Sequence, residues 1–503
     1  MGLYEKLQSV ATGQPQAPAL LTLEAAVTYG TLLTTIDRVS GGLLRAGVRA
    51  FDRVAILSGS RPEMVVAYYA CFRIGAVVVP ISPKLSASEV VELIGHSGAT
   101  YCIAEAQVWA SCANRLEEDC GLKRVWLLEE SERCGRETVQ SWTHLTEADA
   151  ITHEAPGSEA LAAIFYTSGT TGRPKGIAYT QLSLASGAIL AGHQGAGRGP
   201  GTLALFDLIH AWAIVALLAT LERAQSFVLS RSFAPEAVLN LLRTRACDWV
   251  AGIPSSYRSL TELASHQPAL VPPCDATMFV VGGDTCPMDV KRRFTQVFGK
   301  RLLNSYGSIE LGGPVMLQPN RDFEDPLMIG AALAQIDFYI KEPIDGIGEL
   351  VIRSPARPAG VWDGAGVDRS ACSDWVTTGD LVRQDEEGLL HFVARAKDIM
   401  KVNGVAVAPQ EVELALASHP SVAAVLVFGA GDAEMGEVPI ALIKLRPGAS
   451  AGASDLRQYL APHLAQYKIP REIRIVDELP LTSAGKVGRQ RLAAAHAGQR
   501  VEP

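Results

Sequence analysis

An apolar run, Leu161 to Phe165, gives way to Tyr166-Thr167-Ser168-Gly169-Thr170-Thr171-Gly172-Arg173-Pro174-Lys175-Gly176. The run reads as a buried strand. Three glycines, four aliphatic hydroxyls and two cations then fall within eleven residues. Glycine lets a backbone approach an anion closely, and loop N–H groups and hydroxyls can hydrogen-bond phosphate oxygens. Lys175 or Arg173 can offset the charge. This is not a Walker A loop, because Pro174 stands where its second Gly belongs and Gly176 where its Ser or Thr belongs. The residues alone leave two readings open: a phosphate cradle, or a flexible polar turn after a strand.

The rest of the chain limits the partners. At 503 residues it is too long for one core, so two or more domains are expected. A net charge of −8 leaves no electrostatic footprint for nucleic acid. The nine cysteines include no C-x-x-C pair, so a disulfide framework or a zinc site is not expected, and reduced, buried thiols are. The N-terminus lacks a signal-peptide core, and the longest apolar stretches, near 66–81 and 213–221, are interrupted or too short to span a bilayer. The expectation is a cytoplasmic protein with no membrane partner.

Taken in order, Leu32, Ile36, Val39 and Leu43 share one helical face within 32–44. Val54 to Leu57 reads as a strand. Ser60-Arg61-Pro62-Glu63 reads as a capping box opening a helix to about Arg73. Ala76 to Val79 reads as a strand ended by Pro80, Ser86-Ala87-Ser88-Glu89 as a second capping box, and Tyr101 to Ala104 as a strand. Strands alternating with helices imply a mostly parallel sheet covered on both faces. After a helix at about 181–192, Gly195 to Gly201 fails the dinucleotide fingerprint at Pro200 and reads as a loop. Leu203 to Phe206, Trp249 to Ala251 and Met278 to Val281 read as strands, and Ala211 to Leu221 as a buried helix. From 346 the chain becomes β-rich. The last hundred or so residues alternate helix (411–417), strands (423–428, 440–445), helix (455–461) and strand (472–476). The predicted fold class is α/β: a large N-terminal domain of mostly parallel sheets covered by helices, with a β-rich section, and a small α+β C-terminal domain.

Further motifs follow in order: Gly282-Gly283-Asp284, Tyr306-Gly307-Ser308-Ile309-Glu310, Thr378-Gly379-Asp380, Ala394-Arg395-Ala396-Lys397-Asp398, and Leu479-Pro480-Leu481-Thr482-Ser483-Ala484-Gly485-Lys486-Val487-Gly488-Arg489. Each alone has a bland reading as a strand-end turn, a charged linker or a solvated lysine. Together with the loop at 166–176 they resemble, over nearly the whole chain, the adenylate-forming superfamily of acyl-CoA synthetases, nonribosomal-peptide adenylation domains and luciferases.

That resemblance implies a site. Thr167, Ser168, Gly169, Thr170, Thr171, Gly172 and Lys175 would cradle the phosphates of ATP. Gly283 and Asp284 would flank the adenine, with Tyr306 and Gly307 beside it. Glu310 would bind Mg²⁺, Asp380 would accept the ribose hydroxyls, and Arg395 would reach the ribose too. Lys486 would be the catalytic lysine, neutralising charge as the acid's carboxylate attacks the α-phosphate. The family's usual Thr is Ile309 here, which removes a hydroxyl facing that phosphate, and its usual Gly is Ala394, which could restrict the hinge turn. The implied domains are 1–394 for ATP and acid binding, 395–398 as the hinge with Lys397 its pivot, and 399–503 as a mobile domain. Gly404 would leave room for a slim acceptor, although Asn403-Gly404 is also a common hairpin turn.

The acid pocket is expected after residue 203, where the chain reads Ala204-Leu205-Phe206-Asp207. Many acyl-CoA synthetases have His where Asp207 stands. Amino-acid adenylating members have Phe-Asp, and amide-forming members can use an Asp nearby to receive an amine. Asp207 could equally cap the following helix. The implied activity is a two-step ligase: a small carboxylic acid and ATP give an acyl-adenylate and pyrophosphate, and a thiol of CoA or of a carrier protein's phosphopantetheine then takes the acyl group. The alternatives are an amine acceptor, giving an amide, and a weakened nucleotide- and acid-binding protein.

Overall fold

The computed structural model describes residues 2–132, 134, 138–150, 155–167, 175–231, 233–272, 278–321, 325–371, 373–480 and 489–498. The chain divides into two compact units, Met1–Asp337 with Ile352–Val376, and Phe338–Val351 with Thr377–Pro503.

The first unit holds two large sheets. In one, the spatial order is Met328–Ala332, Gly313–Leu317, Leu302–Ser308, Met278–Gly282, Trp249–Gly252, Gly201–Ala204, Ser226–Val228, Pro18–Leu21 and Ala26–Thr28. Every neighbour from Leu302–Ser308 through Pro18–Leu21 is parallel. In the other, Leu161–Thr167, Val77–Ile81, Arg53–Leu57, Tyr101–Ala104, Arg124–Leu127 and Val139–Ser141 run parallel. Buried parallel strands read as apolar runs because both faces are covered, here partly by the helices Pro62–Ile74 and Ala211–Leu221, which are buried nearly all round. On the helix Tyr29–Arg45, Leu32, Ile36, Val39 and Leu43 are all fully buried, as their spacing requires.

The second unit has a ribbon ordered Asp337–Ile344, Ile347–Arg353, Val376–Gln384, Leu390–Arg395, and a five-stranded sheet built on the long hairpin Val422–Asp432/Gly436–Leu445. Helices Pro409–Ala417, Ala453–Leu460 and Arg489–Gly498 accompany it. The fold class is therefore as expected: parallel sheets wrapped by helices, then a smaller α+β part.

Local corrections have local causes. The second capping box closes at Ser86 and Glu89, but the first does not form. Arg61 is the N-cap there, and Ser60 Oγ instead accepts the Leu208 N–H at 2.9 Å. Pro80 lies inside the strand Val77–Ile81 rather than ending it. Pro80 stands opposite Ile56 on one side, while on the other the strand pairs with Leu161–Thr167 only at Val78, which leaves a flank where proline's missing N–H breaks no ladder bond. The strand expected to reach Phe206 ends at Ala204. Ala394 is fully buried in the strand Leu390–Arg395, opposite Leu381. Its φ is not positive, so a methyl group restricts no turn at that point.

Candidate active site

Three of the segments expected to bind substrates in the first unit stand at the C-terminal ends of strands of the first sheet, the usual place for ligand sites in such sheets. Phe206 and Asp207 follow Gly201–Ala204, and Gly283 and Asp284 follow Met278–Gly282. Tyr306 and Gly307 belong to Leu302–Ser308, where Ser305 pairs with Gly282. Thus Gly283 and Tyr306, 23 residues apart in sequence, leave neighbouring strands side by side. Gly283 takes a left-handed φ of +83°, and Asp284 Oδ1 accepts the Thr285 N–H at 2.7 Å. A Cβ at Gly307 would stand 2.1 Å from the Gly313 carbonyl oxygen, so only glycine allows that antiparallel approach.

Glu310 lies half-buried in the 3-10 turn Ile309–Leu311. The turn is tied to the loop hairpin, because Tyr179 on Lys175–Thr180 donates its hydroxyl to the Ile309 carbonyl. The Ile309 side chain packs on the main core, which suits an apolar residue. Strands Leu161–Thr167 and Lys175–Thr180 pair antiparallel, with Thr167 opposite an exposed Lys175. Segment 168–174 therefore joins two adjacent strands. Ser168, Gly169, Thr170, Thr171 and Gly172 lie outside the described residues, as does Lys486. At the base of the hairpin, the Tyr166 hydroxyl is 2.8 Å from His96 Nδ1, and burial pushes the phenol well above its ordinary range.

Asp207 is not a helix cap. The helix Ala211–Leu221 has His210 at its N-cap and no side-chain capping bond. The Asp207 carboxylate, 13% exposed, instead pairs through Oδ2 with Lys84 Nζ at 3.0 Å. Lys84 had no signal in the sequence, since it sits in an unpatterned loop 123 residues away. Phe206 stacks on Trp212 with ring centroids 4.9 Å apart, and together with Asp207, Ser230 and Phe233 it lines a small crevice.

In the second unit Asp380 and Arg395 face each other across the antiparallel strands Val376–Gln384 and Leu390–Arg395. Arg395 Nε is 2.9 Å from Asp380 Oδ1, with Asp380 2% exposed and Arg395 47%. Thr378 braces the turn: its hydroxyl accepts the Asp380 N–H at 3.1 Å and donates to the Leu350 carbonyl at 2.7 Å. Lys397 is exposed in the turn Ala396–Asp398. Arg489, from the C-terminal motif, reaches Asp398 at 3.4 Å and Glu413 at 2.7 Å. Gly404 and Asn403 both take positive φ and close the tight hairpin between Met400–Val402 and Val405–Val407.

Glu310 is the candidate metal ligand. Among the described residues no group of three or more His, Cys, Asp or Glu side chains could cage an ion, and no hydrogen bond or ion pair engages the Glu310 carboxylate. One open carboxylate suits Mg²⁺, which completes its octahedron with substrate phosphates and water. Among the described residues no helix is long and apolar enough to cross a membrane. Cys71, Cys102 and Cys286 are buried thiols, and burial pushes Cys71 and Cys286 up to about 12, as befits core residues rather than nucleophiles.

Comparison with known proteins identifies the family. The AMP-binding enzyme family matches residues 7–362, and the AMP-binding enzyme C-terminal domain matches 411–486. A feruloyl-CoA synthase of Amycolatopsis sp. is 28% identical over 495 residues, covering 94% of each chain. The solved structure of coronafacic acid ligase from Pectobacterium brasiliense is 30% identical with a TM-score of 0.80, covering 99% of this chain and 98% of that one. The o-succinylbenzoate CoA synthetase of Bacillus subtilis, solved with its acyl-adenylate intermediate, is 25% identical with a TM-score of 0.83, covering 98% of both chains.

Proposed function

Because the chain belongs to the AMP-binding, adenylate-forming enzymes and carries out AMP-forming acid-ligase chemistry, we propose that it converts a small carboxylic acid and ATP into an acyl-adenylate and then passes the acyl group to a thiol, of CoA or of a carrier-protein phosphopantetheine. The observation that supports this reading is the pairing of Gly282 with Ser305, which sets the two segments expected to receive the adenine, 283–284 and 306–307, on neighbouring strands.

In the first step a carboxylate oxygen of the acid attacks the α-phosphorus, a P–O bond forms, and the bond to pyrophosphate breaks. Thr167, Ser168, Gly169, Thr170, Thr171, Gly172 and Lys175 hold the phosphates, and Lys486 supplies positive charge where negative charge builds. Glu310 would hold Mg²⁺ with the phosphate oxygens, and that ion would neutralise phosphate charge. Gly283, Asp284, Tyr306 and Gly307 receive the adenine. Asp380 accepts hydrogen bonds from the ribose hydroxyls, and Arg395, 2.9 Å away, orients its carboxylate. In the second step a thiolate attacks the acyl carbon and AMP leaves, with Lys397 as the pivot between steps and Gly404 beside the acceptor. The CoA-ligase names among the relatives support the thiol. An amine acceptor is the second reading, and the half-buried carboxylate of Asp207 beside Phe206 is what favours it. Acid-dependent ATP–pyrophosphate exchange tests adenylation, and its absence with a broad acid panel would point to a binding protein. Product mass with CoA, then with amines, identifies the acceptor.

A further inference from the structure

Five segments of the first unit close a ring of contacts that meets Phe206 through Trp212. The Gln194 side chain is 1% exposed, and its Nε2 donates to Ser305 Oγ at 2.5 Å and to the Met316 carbonyl at 3.3 Å. Both bonds use the amide nitrogen, so Oε1 faces elsewhere, and it is buried without a partner. The next residue, Gly195, takes a left-handed φ of +116° and lies against Trp249: a Cβ there would stand 3.0 Å from Trp249 Cδ1 and 3.6 Å from its Nε1. Trp249 meets Trp212 edge to face at 6.3 Å. Trp212 lies against Gly282, where a Cβ would be 3.1 Å from its ring and 2.7 Å from the Ser305 carbonyl oxygen. That returns the circuit to Ser305. Among the described residues the indole N–H groups of both Trp212 and Trp249 are buried and unpartnered.

Buried polar atoms are normally paired, and an unmade buried donor or acceptor costs more than an ordinary hydrogen bond gains. Here two donors and one acceptor are left open around one ring of contacts. Trp212 is half-buried and stacks under Phe206, so this member of the ring borders a residue of the expected acid pocket. None of its residues is ionisable. We infer that this ring recognises a neutral oxygen, a carbonyl or hydroxyl, at the far end of the carboxylic acid, so that the substrate is an oxygenated acid and not a plain hydrocarbon one. A carbonyl oxygen can accept from the indoles, and a hydroxyl can accept from one and donate to Gln194 Oε1. The inference rests on the adenylation reading.

The test compares matched acids, 4-hydroxycinnamic with cinnamic and 3-(4-oxocyclohexyl)propanoic with 3-cyclohexylpropanoic, by kcat/KM in pyrophosphate exchange. Wild type should favour an oxygenated member by at least about tenfold, since a site built to hydrogen-bond a group rejects the analogue that lacks it. Trp212→Phe keeps a ring and removes the N–H. It should cut the preference several-fold, with the loss in kcat/KM falling more heavily on the oxygenated member of each pair. Equal use of both members by wild type would mean that ordered water alone fills the ring, and would overturn the inference while leaving adenylation standing. An equal loss for both members in Trp212→Phe would overturn it too, since that is a packing defect. If the variant does not fold, the wild-type ratio decides. Exchange with none of the four acids would count against adenylation itself, and the inference would fall with it.

Discussion

Lys84 Nζ lies 3.0 Å from Asp207 Oδ2 and gives the Asp207 carboxylate its ionic partner at the edge of the expected acid pocket. The lysine is 67% exposed and the aspartate 13%, so the pair sits at a solvent boundary and contributes at most about 1 kcal/mol to stability. What it does is hold a negative charge beside Phe206, free of any capping duty.

Asp207→Asn should therefore change chemistry more than folding. If the acid carries an amine, acid-dependent pyrophosphate exchange should weaken by roughly tenfold or more, because a charge-assisted bond is lost. If the amine is the acceptor, exchange should persist and amide formation should slow, since a neutral amide takes no proton. If the acceptor is a thiol and the acid carries no amine, neither step should depend on this charge. Measuring both half-reactions separates the three cases. Asp207→Ala should shift stability by less than about 1 kcal/mol, because the lysine it leaves behind is 67% exposed, and a larger drop in urea unfolding would contradict a pair at the solvent boundary.

Lys486→Ala should cut pyrophosphate exchange by about a hundredfold or more, the usual loss when a charge-stabilising group is removed from a transition state. Stability should stay within about 0.5 kcal/mol. Exchange close to wild type would remove this lysine from the first step.

Lys397→Pro should separate the two steps. Proline fixes φ and removes an N–H in the exposed turn Ala396–Asp398. Exchange should hold within a few-fold while transfer to the acceptor falls about a hundredfold. Parallel loss of both would instead point to damage around Asp398, which Arg489 contacts at 3.4 Å.

Lys291 gives a pH prediction. It is 6% exposed, and its Nζ donates to Gln318 Oε1 at 3.0 Å, the oxygen that also accepts the Asn304 N–H. Burial lowers the ammonium from its ordinary 10.5 to about 8. Between those values the unfolded chain binds a proton that the folded chain does not, so this group makes stability rise with pH across the window, by roughly 3 kcal/mol in all. Below about 8 both states are protonated and its contribution is flat. Lys291→Met should flatten the rise seen in urea unfolding between pH 8 and 10. Identical slopes for the two proteins would show that the buried ammonium is not the cause.

Elements governed by nearby residues were legible in the chain itself. The stripe Leu32, Ile36, Val39, Leu43 makes a helix because 3.6-residue periodicity and burial demand it, and Ser86 with Glu89 caps the next because both partners lie within one turn. The order of the motifs was equally plain. Partners far apart in sequence were not legible. Ser60 carries a capping signature yet serves Leu208, and Asp207 has cap chemistry yet serves Lys84, because a hydroxyl or carboxylate bonds whatever donor the packed chain brings near. The open indole and amide groups of Trp212, Trp249 and Gln194 form no motif at all. They became neighbours only when parallel strands aligned Gly282 with Ser305, and that alignment, fixed by the burial of both sheet faces, is a property of tertiary structure alone.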